Sequence, residues 1–196
     1  MNGCQEGHRS KYIHIIQGRN VSSRGLTLLE LLITLSILAI LAAIGIPSFT
    51  AQIESNRTRT AADLLYQAIQ LTRTKAVTLN QRATMRHLGN WNTGWEVFFD
   101  RDFDGVRDAG EELLFTNGAL SGATIYANLP LTNYVSYIGT GESRFAGTAS
   151  GGGFQAGTFT ICPANGGEGF QLVLARSGRV RQNRATAQDC QQAAGT

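Results

Sequence analysis

A run of 21 residues, 26–46, constrains the fold of this chain more than any other segment. It contains 13 Leu or Ile residues and one charged residue, Glu30. As a helix it is long enough to cross roughly 30 Å of hydrocarbon. The Leu and Ile residues favour insertion by about 6 kcal/mol in total, whereas a central carboxylate costs about 3 kcal/mol. The sequence therefore predicts a membrane-spanning helix that tolerates Glu30.

The distribution of charge predicts the orientation of this helix. All of the formal net charge of +3 lies ahead of Gly25, where four basic residues face one acid, and the rest of the chain has 13 basic and 13 acidic residues. Basic residues before the span keep residues 1–24 in the cytoplasm and send the rest across. The alternative is a secretory signal cut near residues 43–45. Against it, the apolar segment exceeds the usual length of about 7 to 15 residues, and an acid lies near its start.

The pattern of apolar residues changes along the rest of the chain. Pro47 removes a helix hydrogen bond, and an amphipathic helical pattern then continues to about residue 82. Eight short segments with strand character follow, separated by turns rich in Gly and Asn. They are residues 82–88, 94–100, 111–117, 123–128, 134–139, 157–163, 170–175 and 179–183. We expect the second half of the helix to pack on a sheet.

The string RGLTLLE, residues 24–30, resembles the class III signal of type IV prepilins and type II secretion pseudopilins. In that family a prepilin peptidase cuts after the Gly and methylates the new N-terminus. The resemblance implies cleavage between Gly25 and Leu26, N-methylation of Leu26, and Glu30 as the fifth mature residue. Leu26 departs from the Phe or Met usual at this position in the family.

The same resemblance implies an α+β type IV pilin fold, in which a long N-terminal helix packs on an antiparallel β-sheet C-terminal domain. The expected organisation is a cleaved cytoplasmic leader at 1–25, a helix at 26–82 with its membrane span at 26–46, and a periplasmic β-rich domain at 83–196. The protein would first be a single-pass inner-membrane protein and then part of a filament at the cell surface.

Glu30 has a physical role in this scheme. Cleavage creates an α-amino cation at Leu26, and Glu30 lies four residues further on the same helix face. The two charges neutralise one another or, as the family implies, Glu30 meets the amino terminus of a neighbouring subunit. Because an unpaired charge in the membrane is costly, such pairing would make assembly selective. The simpler alternative is a Glu30 side chain that reaches the cytoplasmic surface.

An acidic segment follows the second predicted strand. GWEVFFDRDFDGVRDAGEELL, residues 94–114, resembles the FimT/GspH group of minor pilins and pseudopilins. Its spacing also matches an EF-hand calcium loop with Gly105 at the sharp turn. The ligands would be Asp100, Asp102, Asp104, the Val106 carbonyl, Asp108 and Glu111. Because the flanks are predicted strands rather than helices, a solvated acidic hairpin is the alternative, and calcium is the one cofactor that the sequence suggests.

Cysteine usage agrees with export. Cys4 belongs to the leader, which leaves Cys162 and Cys190 as a pair in a domain predicted to lie in an oxidising compartment. We expect a disulfide between them. No enzymatic activity is expected, because the mature chain has one histidine, His87, and no recognisable nucleophile motif.

The segment ARSGRVRQNR, residues 175–184, carries four arginines and no acid: Arg176, Arg179, Arg181 and Arg184. Its Ser-Gly pair predicts a hairpin turn, and Arg179 and Arg181 are two apart on a strand and share a face. In FimT-type minor pilins a Gly-Arg-x-Arg motif here is associated with DNA binding, and the resemblance places it on Gly178, Arg179 and Arg181. An ordinary solvated hairpin is the alternative. Four basic residues near the end of the helix could extend a basic surface, although a solvated helix face is the favoured expectation: Arg73, Lys75, Arg82 and Arg86.

Three functions are compatible with these patterns. The first is a minor type IV pilin that binds double-stranded DNA during uptake for natural transformation. The second is a structural minor pilin that primes pilus assembly, or a GspH-like pseudopilin of a type II secretion system. In both, the partners are other pilins and the prepilin peptidase. The third is an exported calcium-binding domain on a plain membrane anchor.

Overall fold

The computed structural model describes residue 25 and residues 27–148 and 151–195, without the side chains of residues 44, 45, 47 and 48. The described chain divides after Ala43 into two compact units. Helix α1, Leu28–Leu79, contributes residues to both. Among the described residues, no helix has both the length and the hydropathy required of a membrane span. The predicted span at 26–46 and the leader include residues outside the described part, so both stay predictions.

Thr27 caps the first turn of helix α1. Its Oγ1 accepts a hydrogen bond from the Glu30 amide at 3.2 Å, and its carbonyl accepts one from the Leu31 amide at 3.1 Å. A threonine at this position satisfies amides that have no partner within the helix. The large apolar side chains from Leu28 to Leu41 are at least half exposed. The first unit therefore carries apolar surface that it does not bury itself.

The second half of helix α1 belongs to the core of the second unit. Buried apolar residues recur at intervals of one, three and seven and form one helix stripe: Ala61, Ala62, Leu65, Ala68, Ile69 and Ala76. They belong to the same cluster as strand residues such as Trp95 and Tyr137. Small alanines on this stripe allow the helix to lie close to the sheet residues.

Eight antiparallel strands follow the helix. Their bounds are β1 Ala83–Leu88, β2 Asn90–Phe99, β3 Leu113–Asn117, β4 Ala123–Ala127, β5 Tyr134–Tyr137, β6 Gly157–Pro163, β7 Gly169–Leu174 and β8 Val180–Ala185. They form two sheets of four strands, in the orders β3-β2-β1-β5 and β4-β6-β7-β8. Strands β2, β4 and β6 contribute buried residues to one shared core.

The predicted fold class, a long N-terminal helix followed by an antiparallel β-sheet domain, is confirmed. Each of the eight predicted strands is present, with ends that shift by up to four residues. The strands form two sheets, an organisation that the sequence did not specify. A short helix α2, Ala187–Ala194, was not predicted; Thr186 and Asp189 cap it reciprocally.

A disulfide joins Cys162 on β6 to Cys190 on α2, in agreement with the sequence prediction. Both cysteines are buried and pack with Ala185 at the end of β8. The bond therefore fixes the C-terminal helix against the second sheet.

Removal of this disulfide is expected to destabilise the protein. For a sequence separation of 28 residues, the chain-entropy relation gives a loss of about 3 to 4 kcal/mol in the free energy of unfolding for Cys162→Ser/Cys190→Ser. Urea unfolding followed by tryptophan fluorescence measures this difference. Reduced wild-type protein should unfold at the same urea concentration as the variant, and a variant as stable as the oxidised wild type would contradict the prediction.

Candidate functional site

The arginine turn, residues 175–179, connects β7 to β8. The Gly178 amide donates to the Ala175 carbonyl at 2.8 Å, and the Ala175 amide donates to the Arg179 carbonyl at 2.9 Å. Gly178 has a φ of 76°, which favours glycine. A Cβ at this position would lie 2.0 Å from the carbonyl oxygen of Gly141. The turn thus requires glycine both for its own conformation and for its approach to the neighbouring loop.

Two side chains fasten the arginine turn to the rest of the domain. Tyr137, buried on β5, donates its hydroxyl to the Gly178 carbonyl at 2.9 Å. Burial raises the pKa of Tyr137, so its hydroxyl stays protonated and able to donate. Arg73 of helix α1 donates to the Ser177 carbonyl at 3.3 Å and to the Gly141 carbonyl at 3.0 Å. The helix, β5 and the turn are therefore connected at one place.

Exposed arginines surround this fixed turn. All four predicted arginines, Arg176, Arg179, Arg181 and Arg184, are exposed, while Val180 and Ala185 are buried. Because side chains alternate along a strand, Arg179 and Arg181 lie on one face and Arg184 on the other. Arg184 lies 4.0 Å from the exposed Glu168. The structure thus brings together Arg179 and Arg181 of the predicted set and separates Arg184 from them.

Arg73 lies at this surface, as the less favoured of its two sequence interpretations allowed. The expectation of a solvated helix residue was wrong, because Arg73 binds two carbonyls across the domain and is half-buried. Its partner Ser177 lies 104 residues away in sequence. No local pattern indicates such a contact, since helix periodicity reports which face a residue occupies and not what it meets there.

The acidic loop, residues 100–111, connects β2 to β3. Asp100 is 1% exposed, whereas Asp102 and Asp104 are exposed. One carboxylate oxygen from each of these three residues lies within 4.8 Å of the others. Gly105, at the predicted sharp turn, has a φ of 77°. The structure therefore brings the first three predicted calcium ligands together.

Hydrogen bonds order the acidic loop. Asp100 Oδ2 accepts from Thr84 Oγ1 at 2.8 Å and from the Gly105 amide at 3.1 Å. Glu111 Oε2 accepts from the Asp108 amide at 3.1 Å, and its Oε1 accepts from the Arg101 amide. Glu111 thereby lies against both ends of the loop.

The electrostatics of this loop are unfavourable without a cation. Burial raises the pKa of Asp100. The negative charge of Asp102 raises the pKa of Asp108, and Asp104 and Glu111 act in the same direction. Arg107 pairs with Glu96 at 2.7 Å, and Arg86 donates to the Gly105 carbonyl at 2.7 Å. The charge of Arg82 lowers the pKa of Asp100, but burial outweighs it. The loop therefore concentrates negative charge that these arginines neutralise only in part.

The N-terminal site lies only partly within the described residues. Gly25 is exposed, and Leu26, the predicted methylated residue, lies outside the described part. Glu30 is exposed in the first turn of helix α1, three residues after the capping Thr27. An acid at this position also interacts favourably with the helix dipole. Glu30 therefore has a local role besides the predicted assembly contact.

Known families match both parts of the chain. Residues 21–46 match the prokaryotic N-terminal methylation motif. With the helix and the antiparallel β-sheet domain, this motif defines a type IV pilin-like protein. Residues 61–178 match the family described as type II transport protein GspH. The chain belongs to the GspH family.

Two crystal structures of the type IV minor pilin FimU from Pseudomonas aeruginosa are similar to this chain. One is 19% identical with a TM-score of 0.48 and covers 64% of this chain and 91% of FimU. The other is 21% identical with a TM-score of 0.49, and the match covers 69% of this chain and 92% of the FimU chain. No curated protein sequence matches the chain.

Gly178→Ala is expected to destabilise the domain more than an equivalent change elsewhere. Gly166 has a similar φ of 82°, but a Cβ there meets nothing within 4 Å. Both substitutions place alanine in a left-handed conformation, and only Gly178→Ala also collides with backbone, which adds about 1 to 3 kcal/mol. Urea unfolding of both variants measures the difference in the free energy of unfolding. Equal losses would show that the contact with Gly141 does not constrain the turn.

Proposed function

We propose that this protein is a minor type IV pilin whose arginine turn binds the phosphate backbone of double-stranded DNA during uptake for natural transformation. The observation that supports this function is the presentation of Arg176, Arg179 and Arg181. Arg176 and Arg179 are exposed on the turn that Tyr137 and Arg73 fix, and Arg181 is exposed beside it on β8. Among the described residues, none of the three forms an ion pair within 4 Å.

These arginines favour phosphate as the ligand. A guanidinium is always charged and presents donors in a fork that matches two phosphate oxygens. The backbone of the turn is already fixed, so little backbone freedom is lost when its arginines bind phosphate. Contacts to phosphate alone carry no sequence information, so the proposed binding is independent of DNA sequence.

The expected affinity of one subunit is low. Two or three phosphate contacts give a logarithmic salt dependence of about −1.8 to −2.7, because each neutralised phosphate contributes about −0.9. Few contacts give weak binding, so DNA capture would require several subunits or one subunit at the tip of a retracting filament. Membership of the GspH family and the methylation motif support incorporation into such a filament.

Processing and location follow from the same proposal. The prepilin peptidase removes residues 1–25 and methylates Leu26. The protein is anchored in the inner membrane with its β-rich domain in the periplasm before assembly with other pilins. Glu30 then pairs with the amino terminus of a neighbouring subunit. The match of residues 21–46 to the methylation motif supports these steps.

A structural role without DNA binding is the second candidate. The family description, type II transport protein, favours a pseudopilin of a secretion system. In that role Glu30 and the exposed apolar residues of helix α1 act in assembly, and the arginines keep the surface soluble. A structural minor pilin that primes pilus assembly has the same requirements.

DNA binding is expected to be weak and sensitive to salt. Fluorescence anisotropy of the full chain in detergent, titrated against a labelled duplex, should show an affinity that falls about ten- to forty-fold between 50 and 200 mM salt. Arg179→Gln/Arg181→Gln should weaken binding and reduce the logarithmic salt slope by about two. Absence of binding at low salt would favour the structural candidate.

A matched control separates local contacts from net charge. Arg57 is an exposed arginine on helix α1 that lies beside Gly122, ahead of β4, at the opposite edge of the second sheet from β8. Arg57→Gln removes the same charge as Arg181→Gln away from the arginine turn. Arg181→Gln should weaken binding and lower the salt slope by about one, whereas Arg57→Gln should leave both unchanged. Equal effects of the two variants would assign the binding to overall charge and contradict a site at the arginine turn.

Gly25→Val is expected to block processing by the prepilin peptidase. Glycine has no side chain, so the branched side chain of valine would obstruct access to the bond before Leu26. Mass spectrometry of protein co-expressed with a prepilin peptidase should show loss of residues 1–25 from the wild type and full length for the variant. Gly18→Val, within the leader, should be cleaved normally. A chain whose length does not depend on Gly25 would support a plain membrane anchor instead.

A further inference from the structure

We propose that the acidic loop binds one calcium ion through Asp100, Asp102, Asp104, the Val106 carbonyl and Glu111. The order of these residues matches positions 1, 3, 5, 7 and 12 of an EF-hand loop. Here the loop connects two antiparallel strands rather than two helices. The proposal does not rest on DNA binding at the arginine turn.

One buried oxygen atom gives the strongest indication of a ligand. Asp100 is 1% exposed, and its Oδ2 is occupied by hydrogen bonds from Thr84 and Gly105. Its Oδ1 is buried and has no hydrogen-bond partner among the described residues. A buried carboxylate oxygen without a partner is costly, because nothing replaces the water it lost. A cation bound beside Asp102 and Asp104 would satisfy this atom.

The charges around Asp100 favour a cation over a further hydrogen-bond donor. A carboxylate oxygen of Asp100 lies within 4.8 Å of oxygens from Asp102 and Asp104. Among the described residues, no ion pair within 4 Å involves these three acids or Glu111. A divalent ion at their centre would remove the mutual repulsion of the carboxylates.

The donor set favours calcium over magnesium. All the candidate ligands are oxygens, and calcium accepts six to eight of them in a flexible geometry. Magnesium requires a nearly ideal octahedron of ligands and retains several of its waters. A loop with several closely spaced carboxylates does not match these two requirements well. Transition metals such as zinc and copper prefer nitrogen or sulfur ligands, and this loop contains no histidine or cysteine.

Binding would rearrange Glu111. Its two carboxylate oxygens now accept hydrogen bonds from the amides of Arg101 and Asp108. A bidentate contact with calcium uses both oxygens and therefore weakens these two bonds. The amide NMR signals of Arg101 and Asp108 should consequently shift when calcium binds. The ion would also join the end of β2 to the residues that precede β3.

The experiment is a calorimetric titration of the full chain in detergent, freed of metal with a chelator. CaCl2 should bind at one saturable site with a dissociation constant of about 10⁻⁴ to 10⁻³ M, the range of extracellular calcium modules. MgCl2 should bind roughly tenfold more weakly or worse. Absence of saturable calcium binding up to about 10 mM overturns the proposal. Equal affinity for magnesium overturns the assignment to calcium.

Variants at Asp102 and Glu111, neither of which is buried, locate the site. Asp102→Asn and Glu111→Gln should each weaken calcium binding roughly tenfold or more, because each removes a charged ligand. Asp102 is exposed and outside the core, so its variant should fold normally. Glu168→Gln, which removes an exposed acid from the β6–β7 connection, should leave the affinity unchanged. Equal weakening by Glu168→Gln and Asp102→Asn would show diffuse charge binding and overturn the proposal, as would unchanged signals of Arg101 and Asp108.

Discussion

A chain of hydrogen bonds through the first sheet connects Arg82 to Asp100. Arg82 donates to Ser136 Oγ at 2.7 Å, Ser136 lies 2.9 Å from the Thr84 hydroxyl, and Thr84 donates to Asp100 Oδ2 at 2.8 Å. All four residues are buried. Burial lowers the pKa of Arg82 and raises that of Asp100, so each charge is retained at a cost. Two buried atoms of this network, Arg82 Nε and Asp100 Oδ1, have no hydrogen-bond partner among the described residues, which adds to its cost.

This network determines the position of both candidate sites. Asp100 ends β2 and begins the acidic loop, so its fixed carboxylate defines where the loop starts. Ser136 lies on β5, and residues 138–141, which follow β5, contact the arginine turn through the Gly141 carbonyl. The arginine turn therefore depends on β5, and β5 is bonded to the buried polar chain. Gly178 allows this approach, because any side chain at that position would displace the loop.

The sequence predicted features that local patterns determine. The spacing of apolar residues indicated helix α1 and the eight strands, and fixed intervals between acids indicated the cluster at Asp100 and Asp102. Contacts between distant residues were not predictable. The bond from Arg73 to Ser177 spans 104 residues, and that from Arg82 to Ser136 spans 54. Arginine is rarely fully buried, so its residue type did not predict the burial of Arg82 between other residues of the folded domain.

Substitutions of the buried Asp100 and of exposed site residues give different information about the two candidate sites. Asp100 contributes both an unsatisfied oxygen to the acidic loop and a hydrogen-bonded oxygen to the network behind it. Asp100, Arg82 and residues 138–140 all line one cleft of about 560 Å³. A change at Asp100 can therefore reach the loop that supports the arginine turn. Exposed residues such as Asp102 and Arg181 have no such connection through the described hydrogen bonds, so their effects report on metal and DNA separately.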